Sequence, residues 1–227
     1  MSAQSASDLD RLLARRRELM SRDTATASFQ SRLRELREWQ AARLARTYAD
    51  LHENPRYAQA VDFFLSDLYG PHDFAARERE MMRAWRFLRR SLPEAPLHAL
   101  GRALELDVLT AELDHAMVAA LPSGAWTESS YAQAYRRVGR RPDRERQIEL
   151  AIRSGEDLDR AVRHPWIGVV LKTAHAPAHA AGFGVLQDFI ERGYRAFKAM
   201  GGAREFLAVI RERETALMEA LFSGARK

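Results

Sequence analysis

Residues Tyr57–Arg77 read YAQAVDFFLSDLYGPHDFAAR. Tyr57, Val61, Phe64, Leu65 and Leu68 recur at i, i+4, i+7, i+8 and i+11, which is one face of an α-helix. Ala60, Phe63 and Asp67 form a second row beside it. A helix apolar on more than one side belongs at the centre of its bundle, touched by several neighbours. Tyr69-Gly70-Pro71 then closes the pattern: Gly accepts the left-handed turn that ends a helix, and Pro beyond it cannot continue one. Asp73 stands at an N-cap position. The spacing therefore predicts helices over Tyr57–Tyr69 and Phe74–Ser91 joined by a tight turn. That turn would bring Asp67, Tyr69, His72, Asp73 and Arg77 together.

The chain on either side repeats the helical period. Upstream, Phe29, Leu33, Leu36, Gln40, Leu44 and Leu51 predict one long helix over Ser28–Leu51 at near-heptad spacing. Gln40 interrupts its seam, so this helix either meets a polar partner within the bundle or pairs with a second copy in which Gln40 fixes the register. Asn54-Pro55 ends it. Downstream, Leu97–Leu121 carries two apolar stripes with Glu105 and Glu112 between them, and carboxylates so flanked need buried partners. Thr127 caps a helix that runs to Gly139. Pro142 starts the next, and Gly155 and His164-Pro165 break the chain again. Phe183, Leu186, Ile190, Tyr194 and Phe197 share one face, with Gln187 embedded in it. Gly201-Gly202 turns the chain into a last helix over Glu205–Phe222. No strand-like alternation and no internal repeat occurs. The expectation is an all-α fold, a single-domain bundle of about eight to ten helices over residues 7–227. Residues 1–6 read as a frayed, disordered terminus.

Composition narrows the function. A chain of 227 residues with 46% hydrophobic and 30% charged side chains is long and mixed enough to bury a full core. Without cysteine it has no disulfide, no thiolate metal site and no Cys nucleophile. The opening MSAQSASDLD lacks the basic start and apolar core of a secretory signal, and no apolar run reaches the roughly 18 residues of a spanning helix. A cytoplasmic protein that does not enter a membrane is the expectation. The net charge of +5 is carried almost entirely by arginine, since Lys172, Lys198 and Lys227 are the lysines. Those arginines are interleaved with Glu and Asp over nearly every helix. That pattern fits a GC-rich genome better than a nucleic-acid surface.

Several residue groups carry chemistry in principle. Glu112-Leu-Asp-His115 is a Glu-x-x-His, whose two side chains share a helix face as in di-iron carboxylate bundles. Glu105 could add an oxygen, but no second copy of the motif appears. His175-Ala-Pro-Ala-His179 places two imidazoles four apart, the spacing that shares a metal on a helix. Pro177 between them is expected to disturb that register. It lies in PWIGVVLKTAHAPAHAAGFGVL, residues 165–186, where Lys172 is the one fixed charge. Small residues there predict a buried helical hairpin interrupted at Pro177. Alternatively the stretch walls a ligand cavity or dips into a membrane. An apolar wall rich in Gly and Ala also suits a flat cofactor, with one histidine as axial haem ligand. No nucleophile elbow, P-loop or dinucleotide fingerprint is present.

The pattern FF-x3-LYG-x2-D at Phe63–Asp73 resembles that of a family of uncharacterised bacterial all-helical proteins. The resemblance extends to ALELDVLTAELD (Ala103–Asp114), AYRRVGRRPDRERQIEL (Ala134–Leu150) and FGVLQDFIERGYRAFKAMGG (Phe183–Gly202). It implies an all-helical fold and no activity. Two functional expectations result. One is a non-catalytic bacterial cytosolic protein that binds a small apolar ligand or a partner protein through Phe64, Asp67, Tyr69, Asp73, Arg77 and Gln187, and forms a homodimer through Ser28–Leu51. The alternative is an oxidoreductase that holds iron or haem in the bundle through Glu112, His115, His175 and His179.

Overall fold

A computed structural model describes residues 3–23, 26–68, 76, 79–85 and 94–224. All regular structure among them is helical. The elements are α1 (Ala3–Asp23), α2 (Ala27–Thr47), α3 (Ala49–Glu53), α4 (Ala58–Phe63), a π-helical turn (Phe64–Leu68), α5 (Glu94–Ala120), α6 (Glu128–Val138), α7 (Arg141–Val162), α8 (Pro165–Ala180), α9 (Gly184–Met200) and α10 (Arg204–Ser223). Residues 79–85 are also helical. The turn Tyr69–Asp73 and Arg77 lie outside the described residues.

The chain divides into two compact units. The first comprises residues 1–36, 100–153 and 207–227. Its core is built on Leu13, Leu19, Leu36, Leu113, Met117 and Leu150, all buried. The carboxylates between the two stripes of α5 find the partners their burial requires. Glu105 accepts from Nε and Nη2 of Arg146 at 2.9 and 3.0 Å. Glu112 accepts from Arg15 at 2.6 Å and Arg140 at 3.1 Å. Thr127 caps α6 as its sequence predicts, in a capping box with Ser130. Gly139 ends that helix at φ +64.

The second unit comprises residues 37–99 and 154–206. It is organised on the stretch around Phe63. Both predicted rows of α4 are used: Tyr57, Ala60, Val61, Phe63 and Asp67 are buried. The helix does not run on uniformly, because the π turn adds a residue at Phe64–Leu68. Phe64 stacks on Phe206 with ring centroids 5.8 Å apart and lies 6.3 Å from Phe197. Phe63 packs on Phe189 at 5.3 Å. Arg56 holds the end of α9, donating to Met200 O at 2.9 Å and Gly202 O at 3.2 Å. Cations at a helix C-terminus are favoured by its dipole.

Four sequence expectations are corrected. The helix over Ser28–Leu51 breaks at Tyr48 into α2 and α3. Its seam of Leu33, Leu36, Gln40 and Leu44 is buried. Gly155 is a buried interior residue of α7 rather than a break; one helical Gly costs only about 1 kcal/mol against Ala. Pro177 lies inside α8. It falls in the last turn, where the amide it lacks removes one bond, and Ala181 N still donates to Pro177 O at 3.0 Å. Lastly, α8 is no buried hairpin arm, for none of its residues is buried.

Candidate functional site

The hairpin of α8 and α9 carries a polar cluster of the second unit. Pro165 starts α8, a position whose amide needs no partner. The three-residue turn after Ala180 passes through Gly182 at φ +76. Arg83 donates to Gly182 O and lies over the Phe183 ring at 5.0 Å. The buried carboxylate of Glu80 accepts from Leu186 N at 2.8 Å. This satisfies a free amide in the first turn of α9 and matches its dipole.

The short turn sets α8 and α9 side by side. Because Pro177 does not break α8, His175 and His179 lie one turn apart, with ring centroids 4.5 Å from each other. Across from them α9 presents Asp188 and Glu191. His175 Nδ1 lies 2.9 Å from Glu191 Oε1 and 3.9 Å from Asp188 Oδ1. His179 Nε2 lies 2.9 Å from Asp188 Oδ1. Gln187 is buried as its place in the apolar face predicts, and its amide is satisfied twice. It donates to Leu171 O and to Glu191 Oε1, both at 2.9 Å. The Gln187 amide, opposed by burial and aided by His175, holds the Glu191 carboxyl below its ordinary range.

The other predicted residues are distributed as follows. Asp67 is buried and accepts from Arg192 Nε and Nη2 at 2.8 and 2.6 Å, with Ser66 Oγ donating at 3.0 Å. It anchors the π turn to α9. Phe64 is part of the aromatic cluster. Glu112 and His115 belong to the first unit, where Glu112 is taken by two arginines and the His115 ring meets Phe29 edge-on at 5.0 Å. Tyr69, Asp73 and Arg77 lie outside the described residues. The sequence reading missed Asp188 and Glu191. Their signal was the i, i+3 spacing on the helix that follows His175 and His179 after a short turn.

The second missed feature is apolar. Trp166, Val169 and Val170 of α8 are 60, 63 and 51% exposed. With Thr173 they form one stripe at i, i+3, i+4 and i+7. Thr173 turns its hydroxyl back onto Val169 O and Val170 O at 2.9 and 3.0 Å, so the stripe carries no charge and no free hydroxyl donor. Val185 and Ile190 of α9 are exposed too, so the face that Ile190 shares with Leu186, Tyr194 and Phe197 is not buried along its whole length. Among the described residues no helix is long and apolar enough to cross a membrane. In the first unit, a cleft of about 280 Å³ is walled by Glu145, Glu149, Arg211 and Glu219 among others. Its charged walls do not suit an apolar ligand.

These features define an all-α protein with an uncovered apolar helix face and, on the same hairpin, a histidine–carboxylate cluster. The chain belongs to a family described as a domain of unknown function (DUF8198), which matches residues 19–227. No curated protein and no solved structure matches the chain.

Proposed function

We propose that the chain is a non-catalytic helical protein that docks a second copy of itself through the outer face of α8. The observation that carries this reading is a sixteen-residue helix with no buried residue whose outer stripe is Trp166, Val169, Val170 and Thr173. Contiguous apolar surface of this kind marks an interaction site in a protein that stays in water. The stripe bears no charge, so a charged partner would bury an unpaired ion there. A second α8 offers the same neutral stripe. Two such stripes pair about a two-fold axis near their midpoint, between Val169 and Val170. One helix of sixteen residues is only about 24 Å long, which limits the area and makes the association weak and concentration-dependent. A bacterial origin and a cytosolic setting complete the proposal; the arginine- and alanine-rich composition supports the first.

Sedimentation velocity over a range of concentrations tests it. The wild-type chain is expected to sediment faster as it is concentrated, and Trp166→Glu or Val169→Glu to remain monomeric with an unchanged helical spectrum. A chain that is monomeric throughout, or a dimer indifferent to both substitutions, overturns the reading. The second reading, a metal-dependent oxidoreductase, retains one specific support in the His175–Glu191 cluster. Those imidazoles face carboxylates rather than an apolar slot, which favours a small cation over haem.

A further inference from the structure

We infer that His175, His179 and Asp188, with Glu191 against His175, form a binding site for one divalent transition-metal ion of the zinc type. Ligating atoms of His175, His179 and Asp188 all lie within 4.8 Å of one another. A tetrahedral zinc site with bonds of about 2.0–2.1 Å sets its ligand atoms about 3.3 Å apart. The separations of 2.9, 2.9 and 3.9 Å in the cluster straddle that value. The side chains of His175, His179 and Asp188 are 48, 42 and 40% exposed, with Glu191 more buried beside them. Two neutral imidazoles and two carboxylates carry a charge that a divalent cation neutralises. Imidazole with carboxylate also selects borderline ions such as zinc over calcium or magnesium, which take oxygen alone.

Two neighbours fix the ligands. Gln187, itself buried, donates to Glu191 and orients it, as outer partners do around metal-binding side chains. Gly184 leaves room for the His179 ring: a Cβ there would fall 2.7 Å from His179 Nδ1. Other histidines make simpler contacts. His52 meets Asp62 at 2.8 Å and His98 meets Glu94 at 3.4 Å. Among the described residues, only the α8–α9 cluster gathers three such ligands. The inference is independent of self-docking, since His175 and His179 lie off the stripe of Trp166, Val169, Val170 and Thr173.

The test is calorimetric titration of the intact, chelator-treated chain with zinc chloride, paralleled by cobalt(II) and its visible ligand-field band. One ion per chain is expected. His175→Ala, His179→Ala and Asp188→Asn should each weaken zinc at least about tenfold, the lower end of what even outer-partner losses cost. His52→Ala, which removes a histidine–carboxylate pair without a third ligand, should leave the affinity unchanged. Gly184→Ala supplies a variant that spares the ligands: it turns the exposed His179 ring aside, so zinc affinity falls while the metal-free melting temperature holds. Absence of zinc heat and of a cobalt band in the wild type overturns the site. So does binding that persists in both His175→Ala and Asp188→Asn.

Discussion

Replacing Asp67 with alanine removes the contact that ties the π turn to α9. Its carboxylate side chain is 4% exposed and receives two hydrogen bonds from Arg192 and one from Ser66, whereas Arg192 is 39% exposed. Deleting one member of a fully buried ion pair costs about 3–5 kcal/mol, and a fully exposed pair is worth about 0–1 kcal/mol. With one end buried and the other more than a third in water, the cost falls between, at about 2 kcal/mol. At about 2–4 °C per kcal/mol for a chain of this size, the melting temperature should drop by about 4–8 °C. Urea titration followed by circular dichroism should show a lower midpoint with an unchanged slope. Arg192→Ala should cost a similar amount, and the double variant little more than either single, because the two side chains share one interaction. A loss below about 0.5 kcal/mol for Asp67→Ala, or additive singles, refutes this account of the pair.

Two further outcomes follow from packing and charge. Gly193→Ala places a Cβ 3.0 Å from Phe63 Cζ, in a ring already packed on Phe189 and Phe64. Overpacking of about 1–3 kcal/mol outweighs the gain of about 1 kcal/mol in helix propensity, so a thermal melt should show net destabilisation. Burial tends to raise the Glu112 carboxyl, but hydrogen bonds from Arg15 and Arg140 prevail and hold it below its ordinary range. Its contribution to stability is thus complete above the unfolded value of about 4.3 and lost as pH falls through the lower folded value. Glu112→Gln should flatten that acid limb in urea midpoints measured against pH.

The fold was legible because its signals are local. The 3.6-residue period up to Phe63, the Thr127 cap and the Gly139 and Gly201 stops each act within a turn or two, and each reappears in the structure, whereas Phe64–Leu68 winds into a π turn. Gln187, Asp67 and the α5 carboxylates were legible as polar groups in apolar rows, and each is found with partners. What failed was local punctuation overruled by context. Pro177 and Gly155 read as breaks, yet a proline in a last turn or a single buried glycine costs less than the packing of α8 on α9 or of α7 on its neighbours. The candidate site was half legible. His175 and His179 stand out by spacing, but Asp188 and Glu191 join them only once the short turn pairs α8 with α9. The exposed face of α8 was illegible, since an apolar run reads as buried until its neighbours are known.

The most direct test of self-docking uses the absence of cysteine from the chain. Val170→Cys introduces a single thiol beside the proposed two-fold axis. A disulfide needs Cα atoms about 4.4–6.8 Å apart, so it reports whether two α8 helices meet closely at that position. The expected result of mild oxidation is a covalent species of twice the 25.9 kDa chain mass. Ser129→Cys, on an exposed position of α6, should remain monomeric under the same conditions. Cross-linking of Val170→Cys no greater than that of Ser129→Cys would contradict docking through α8.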